Sequence, residues 1–259
     1  MAYEAVIDAR EIAESKMGTF KAAMTLRDAR KADADIATTT FGPLDKYVAA
    51  NDNVPAPRAA ATTASLRDKG IYPPERHGDW MQTYSGRQFW PMDPRSDEVH
   101  IEDIAHALSL QCRYAGHCIQ FYSVAEHSCH VALWLLRNYG PMTAMYGLLH
   151  DASEAYLVDV PRPVKPYLTG YKDAETKVQD VVQVRFGLGV GVPKAVKEAD
   201  DRIIADELVN LRPMEWHKRF DDPLGVKIGC WKPSDAEDEF LSMFVMLDRK
   251  MRETGRAAA

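Results

Sequence analysis

The sequence predicts an all-α domain, and three observations carry that expectation. From Ile101 onward, apolar residues recur at the three-and-four spacing of amphipathic helices. Strand character is confined to one short stretch ahead of that region, between Trp80 and Trp90. Prolines and glycines fall between the periodic segments and divide them into lengths usual for globular helices.

Composition narrows the possibilities. At 259 residues the chain suits one large domain, or one domain with an extension. Hydrophobic content of 46% and charged content of 27% belong to a globular protein. A net charge of −6 argues against bulk nucleic-acid binding. No apolar run approaches the ~18 residues of a membrane span, so no membrane partner is expected. The start Met1-Ala2-Tyr3-Glu4 lacks the basic and apolar regions of a secretory signal. Cys112, Cys118, Cys129 and Cys230 form no CxxC pair and fit a reducing cytoplasm as plain thiols.

Residues 1–70 read as an N-terminal extension, part helical and part disordered. Val6, Ile12, Met17, Phe20 and Met24 make an imperfect helical stripe, and Ala34 to Ala64 has linker-like composition. Residues 71–259 form the domain proper. A β-hairpin is expected at Trp80–Trp90 around Ser85-Gly86, ended by Pro91 and Pro94. The first helix puts Ile104, Ala105, Leu108 and Cys112 on one face, with Glu102 and Asp103 favourably placed in its first turn.

A second helix runs from Val124 to Tyr139, striped by Val124, Val131, Ala132, Leu135 and Leu136 and stopped at Gly140-Pro141. The next holds His150-Asp151 and ends by Pro161. Val178, Val181, Val182 and Phe186 mark another, broken at Gly187. Pro193 opens a helix whose apolar face is Val196, Ala199, Ile203, Ile204, Leu208 and Leu211, with Lys197, Asp200 and Glu207 projecting elsewhere. The last begins at Ser234, with Glu237 completing a capping box.

Chemistry concentrates around Leu148–Tyr156. His150 and Glu154 are four apart and Asp151 and Glu154 three apart, so one helical turn can offer an imidazole and two carboxylates to a common point. His127 and Asp200 lie on the neighbouring helices. Two imidazoles and two carboxylates without thiolate form an N/O shell suited to Mn²⁺, Fe²⁺, Co²⁺ or Zn²⁺. Four protein ligands on an octahedral ion leave places for water and a phosphate oxygen.

His127, His150-Asp151 and Asp200 match, in order and approximate spacing, the H…HD…D signature of HD-domain phosphohydrolases. The segments Ser123-Val124-Ala125-Glu126-His127-Ser128, Leu149-His150-Asp151-Ala152-Ser153-Glu154, Asp159-Val160-Pro161-Arg162-Pro163-Val164-Lys165 and Val196-Lys197-Glu198-Ala199-Asp200 resemble the bacterial 5′-deoxynucleotidase branch and the related phage dATP triphosphohydrolases. The resemblance spans roughly residues 80 to 250 and leaves the first 70 outside it. It implies an HD-domain helical bundle with His127, His150, Asp151 and Asp200 as metal ligands. Glu154 resembles the carboxylate that orients and deprotonates the attacking water, and Asp159 a second acid near the sugar and leaving group. Arg113 resembles an arginine that grips phosphate, with Tyr114 in the place of an aromatic that shapes the sugar pocket. Lys165 and Lys197 match lysines that reach the phosphate chain.

The expectation is therefore a cytoplasmic enzyme using one divalent transition metal, Mn, Co, Fe or Zn, with Mg able to accompany the substrate phosphates. Its substrate would be a deoxynucleotide, cleaved as a monophosphate or as a triphosphate, and family members are often homo-oligomers. A non-catalytic nucleotide-binding sensor or scaffold, or a phosphodiesterase of cyclic or alarmone nucleotides, are the alternatives. His130, His117, Asp201 and Arg162 are left outside the site.

Overall fold

One central helix receives most of the packing. The computed structural model describes residues 76–257. All of them lie in the second of two units into which the chain divides, Ala59–Ala259. The extension expected over residues 1–70 is outside the described residues. Within those residues there are seven α-helices and one two-stranded sheet, a mostly helical architecture. No helix among them is long and apolar enough to cross a membrane.

The hairpin forms where the Ser-Gly turn predicts it. Strands β1 (Met81–Gln82) and β2 (Gln88–Phe89) pair antiparallel, Met81 opposite Phe89. Gly86 sits in the turn at φ +79°, where other residues are strained. Phe89 is fully buried and stacks on Tyr156 with ring centroids 3.8 Å apart. The Ser85 N–H and hydroxyl donate to the Asp103 carboxylate at 2.7 and 2.9 Å. Asp103 therefore ties the hairpin to the first turn of α1 (Ile101–Leu110). That helix buries Ile104, Ala105 and Leu108 as expected, but it stops short of Cys112, which bridges to Ser123.

Helix α2 (Val124–Tyr139) is capped by the Ser123 hydroxyl, which accepts from the Glu126 N–H at 3.0 Å. All residues from Val124 to Ala132 are buried. Around α2 pack α1, α3 (Pro141–Leu148), α6 (Lys194–Glu207) and α7 (Pro233–Ala257). Helix α3 comes close because Gly147 has no side chain: a β-carbon there would collide with Leu135 Cδ1 and stand 3.3 Å from Val131 Cγ1. The short α4 (Glu154–Leu157) and α5 (Tyr171–Arg185) complete the set, with Val178 and Val182 buried.

Two features differ from expectation. Helix α7 begins at Pro233, and Glu237 pairs with His106 Nδ1 at 3.0 Å instead of closing a capping box with Ser234. Between α6 and α7 the chain has little regular structure, and two carboxylates hold it. Asp206 accepts the N–H groups of Leu224, Gly225 and Val226 at 2.7–3.0 Å. Glu126, fully buried, accepts those of Gly229, Cys230 and Trp231 at 2.6–2.9 Å. Bonds from N–H groups to a carboxylate are among the strong ones a loop can make.

Gly147→Ala is expected to overpack the α2–α3 contact and cost ~1–3 kcal/mol. A urea titration followed by far-UV circular dichroism measures it; an unchanged midpoint would mean that the contact has slack to absorb a methyl group.

Candidate metal centre

Local folding brings the histidines into place. His127 lies in the first turns of α2, fully buried, and its Nδ1 donates to Glu207 Oε1 at 2.7 Å. His150 does not lie within a continuous helix, contrary to the pattern of its segment. Helix α3 ends at Leu148, α4 starts at Glu154, and a turn joins them. The cause is the His150 side chain. Its Nδ1 donates to the Gly147 carbonyl at 2.7 Å, the acceptor that the Asp151 N–H would use in an α-helix. Gln179 of α5 satisfies the rest of the turn, donating to the Leu149 carbonyl at 2.8 Å and accepting from the Ser153 N–H at 3.2 Å.

With both Nδ1 protons committed, the two Nε2 atoms face each other at 3.2 Å. Asp200 Oδ1, from the middle of α6, is 3.2 Å from His127 Nε2 and 3.7 Å from His150 Nε2. Asp151 Oδ2 is 3.2 Å from His150 Nε2 and 3.7 Å from His127 Nε2. Around an ion with bonds of about 2.0–2.2 Å, neighbouring donors stand about 3 to 3.6 Å apart. His127, His150 and Asp200 thus form a group able to hold a metal ion, with Asp151 beside it. Facing imidazole lone pairs and carboxylates is an arrangement that calls for positive charge between them.

Electrostatics agree with that demand. Burial alone pushes the His150 ring down, but Asp151 and Asp200 more than offset it and hold it well above the ordinary range. Burial would raise the Asp151 carboxyl, yet His150 brings it down to about 2. Burial would raise the Asp200 carboxyl, but the adjoining His127 and His150 rings hold it well below the usual carboxylate range.

Glu207 is the residue missed by the sequence reading, which had it projecting away from the core. It is fully buried at the end of α6, and burial would raise its carboxyl, but Arg113 and His127 bring it down to about 2. Arg113 Nε and Nη2 stand 3.3 and 3.4 Å from its two oxygens, and the Tyr114 hydroxyl donates to Oε2. The second nitrogen of a metal-binding imidazole is commonly held in this way by a carboxylate. Asp200 and Glu207 are seven residues apart, two helical turns, and that spacing was the available signal. Arg113 also reaches Asp151 Oδ2 at 3.5 Å. Tyr114 and Ala115 adopt left-handed backbone, φ +57° and +51°, a strained conformation that sets the phenol on Glu207.

Glu154 is buried at the start of α4. Its Oε1 lies 3.5 Å from Lys165 Nζ, and its Oε2 has no hydrogen-bond partner. Burial, then the nearby Asp151 and Asp159, hold this carboxyl well above its usual range despite Lys165 and Arg113. Asp159 is half-buried and is likewise raised, by burial first, with Arg113 opposing. Gln111 ties the two acids together, donating to the Glu154 carbonyl at 2.9 Å and accepting from the Asp159 N–H at 3.0 Å. Lys165 Nζ also donates to Glu175 at 2.8 Å.

Not every candidate converges. Lys197 is exposed and has no side-chain partner among the described residues. His130 is buried against Glu126 and Trp231, away from the cluster, and His117 is exposed. Arg162, set aside on sequence grounds, reaches the site: its guanidinium contacts Asp200 Oδ2 and Asp201 Oδ1, each at 3.3 Å.

Sequence comparison finds two relatives. The chain is 38% identical over 128 residues to the uncharacterized protein YfdR of Escherichia coli (strain K12), covering 49% of this chain and 70% of the relative. It is 34% identical over 190 residues to the uncharacterized protein RCAP_rcc00048 of Rhodobacter capsulatus, covering 66% of this chain and 97% of the relative. No protein-family model matches the chain.

Glu207→Gln should weaken metal binding about 10–100-fold, as loss of a carboxylate behind a ligating imidazole does. Titration of the metal-free protein with Co²⁺, followed by its visible absorption, gives the affinity. Wild-type affinity in the variant would show that His127 needs no such support.

Proposed function

The chain belongs to the same family as YfdR of Escherichia coli and RCAP_rcc00048 of Rhodobacter capsulatus, and we propose that it is a divalent-metal-dependent phosphohydrolase acting on deoxynucleotides. The observation that carries the reading is the opposed His127 and His150 nitrogens with Asp151 and Asp200 around them, 3.2–3.7 Å apart, next to a buried carboxyl with a free oxygen. The deoxynucleotide class comes from the resemblance of the segments around Arg113, His127, His150 and Asp159 to 5′-deoxynucleotidases and dATP triphosphohydrolases.

His127, His150, Asp151 and Asp200 would hold the cation. When bound, a divalent cation supplies a Lewis acid for a phosphoryl oxygen and acidifies water. Glu154 takes the proton of the attacking water at Oε2, the oxygen without a partner. Burial and the neighbouring Asp151 and Asp159 raise its affinity for protons, which favours uptake of that proton. Attack of the water oxygen on phosphorus breaks the bond to the leaving oxygen. Asp159, assigned to the leaving-group side, returns a proton there. Lys165 steadies Glu154 Oε1 with its positive charge. Arg113 and Tyr114 hold Glu207, and through it His127, while bordering the substrate side.

The test is incubation of the full chain with Mn²⁺ or Co²⁺ and a panel of deoxynucleoside mono- and triphosphates, with phosphate and triphosphate release measured separately. Release from either class supports the proposal and separates a nucleotidase from a triphosphohydrolase. Absence of turnover across the panel by metal-loaded protein would overturn it in favour of binding without chemistry.

Glu154→Gln should retain the metal and lose about 10²–10⁴-fold in turnover. Elemental analysis beside the kinetics decides the role, because loss of metal together with activity would make Glu154 a ligand.

A further inference from the structure

We propose that Arg162 is the residue that receives the substrate phosphate at the mouth of the metal centre. The inference rests on the phosphohydrolase reading and reassigns a role that the sequence gave to Arg113.

The two arginines differ in how their charge is used. The Arg113 side chain is 12% exposed, and its guanidinium is divided between Glu207 and Asp151. Two carboxylates already match its single charge, so a phosphate would have to compete with both. The Arg162 side chain is 61% exposed. Its two terminal nitrogens fork across Asp200 Oδ2 and Asp201 Oδ1 at 3.3 Å each, while Asp200 Oδ1 faces the imidazoles. The guanidinium is therefore one carboxylate away from the cluster, on its solvent side.

Its present contacts are easily exchanged. Strong bonds between guanidinium and carboxylate run about 2.7–2.9 Å, shorter than either contact here. Exposed ion pairs contribute about 0–1 kcal/mol. The fork geometry that spans two carboxylate oxygens also fits two oxygens of one phosphate. Pro161 and Pro163 stiffen the backbone on both sides of Arg162, so the long side chain makes the adjustment. The same segment delivers Lys165 to Glu154 and Glu175, where its charge is already paired.

A substrate phosphate needs such a partner. Asp151, Glu154, Asp159 and Asp200 put four carboxyl groups in or beside the cluster, and their charge disfavours a bound anion. Lys165 is committed to Glu175 at 2.8 Å. Lys197 is exposed, and no contact ties it to the cluster. Arg162 is both exposed and anchored at a cluster residue.

The full chain, loaded with Mn²⁺, is titrated with inorganic phosphate by calorimetry as wild type, Arg162→Ala, Arg162→Lys and Asp201→Asn. Kinetics are taken on the deoxynucleotide that wild type turns over best. Arg162→Ala should keep its metal, lose about 10–100-fold in phosphate affinity and show the loss as raised KM with kcat within a few-fold. Arg162→Lys should recover part of it. Asp201→Asn frees the guanidinium from one partner, so phosphate affinity and KM should hold or improve. If Arg162 served only to brace α6, Asp201→Asn and Arg162→Ala would shift together and metal content would fall; that pattern overturns the inference. Unchanged phosphate affinity in Arg162→Ala also overturns it. A wild type without turnover defeats the phosphohydrolase reading instead, and the phosphate titration still decides Arg162.

Discussion

Two imidazole nitrogens 3.2 Å apart, each with its ring proton turned the other way, set the terms for everything around them. Such a pair is repulsive unless positive charge lies between the rings, and the adjoining Asp151 and Asp200 carboxylates deepen the requirement. Burial alone would lower the His150 ring, but Asp151 and Asp200 outweigh it and hold the ring well above its ordinary range. The choice of ring proton has structural consequences in two directions. His150 takes the Gly147 carbonyl and so interrupts the helix that its sequence would otherwise continue. His127 needs a buried acceptor, and Glu207 is there for it.

Burying Glu207 creates a second requirement. A fully buried carboxylate is unfavourable unless its oxygens are filled. Arg113, Tyr114 and His127 fill them, and the Arg113–Gly116 turn pays for this in backbone strain at Tyr114 and Ala115. Val158, at φ +63° just before Asp159, is another left-handed position beside the cluster. Strain of this kind persists where surrounding contacts over-determine the backbone. Gln111, Gln179 and Phe89 provide such contacts from the end of α1, from α5 and from the hairpin, so elements that carry no candidate ligand still fix where the candidate ligands stand.

Most of the helical plan was legible because apolar spacing reports directly which face is buried. The stripes of α1, α2 and α6 are buried through Leu108, Leu135 and Ile204, while Cys112, Leu208 and Leu211 lie past the helix ends and are half-buried. The candidate metal group was legible for another reason: His127, His150 and Asp200 are chemically distinctive and come from α2, the turn ahead of α4, and α6. What escaped were charges whose partners are distant in sequence. Glu207 looks like a solvated helix end until Arg113, His127 and Tyr114 are brought to it. Glu237 looks like half of a capping box until His106 offers a closer partner. Arg162 lay in a proline-rich turn with no periodicity, so nothing local indicated that it reaches Asp200 and Asp201.

The acids of the site fall into two classes, and their surroundings explain the division. Asp151, Asp200 and Glu207 each touch an imidazole or a guanidinium and are held ionised in spite of burial. Glu154 and Asp159 are raised by burial first, which the neighbouring Lys165 and Arg113 offset only in part. Burial is the larger cause for both, so neutralising Asp151 would relieve only part of the effect. Under the proposed function, a site that keeps some carboxylates charged and makes others proton-binding would separate the tasks of holding a cation and moving a proton. Backbone position alone could not achieve this separation, since Asp151 and Glu154 are only three residues apart. It comes from what each side chain meets: His150 for the first, and burial with Asp151 and Asp159 for the second.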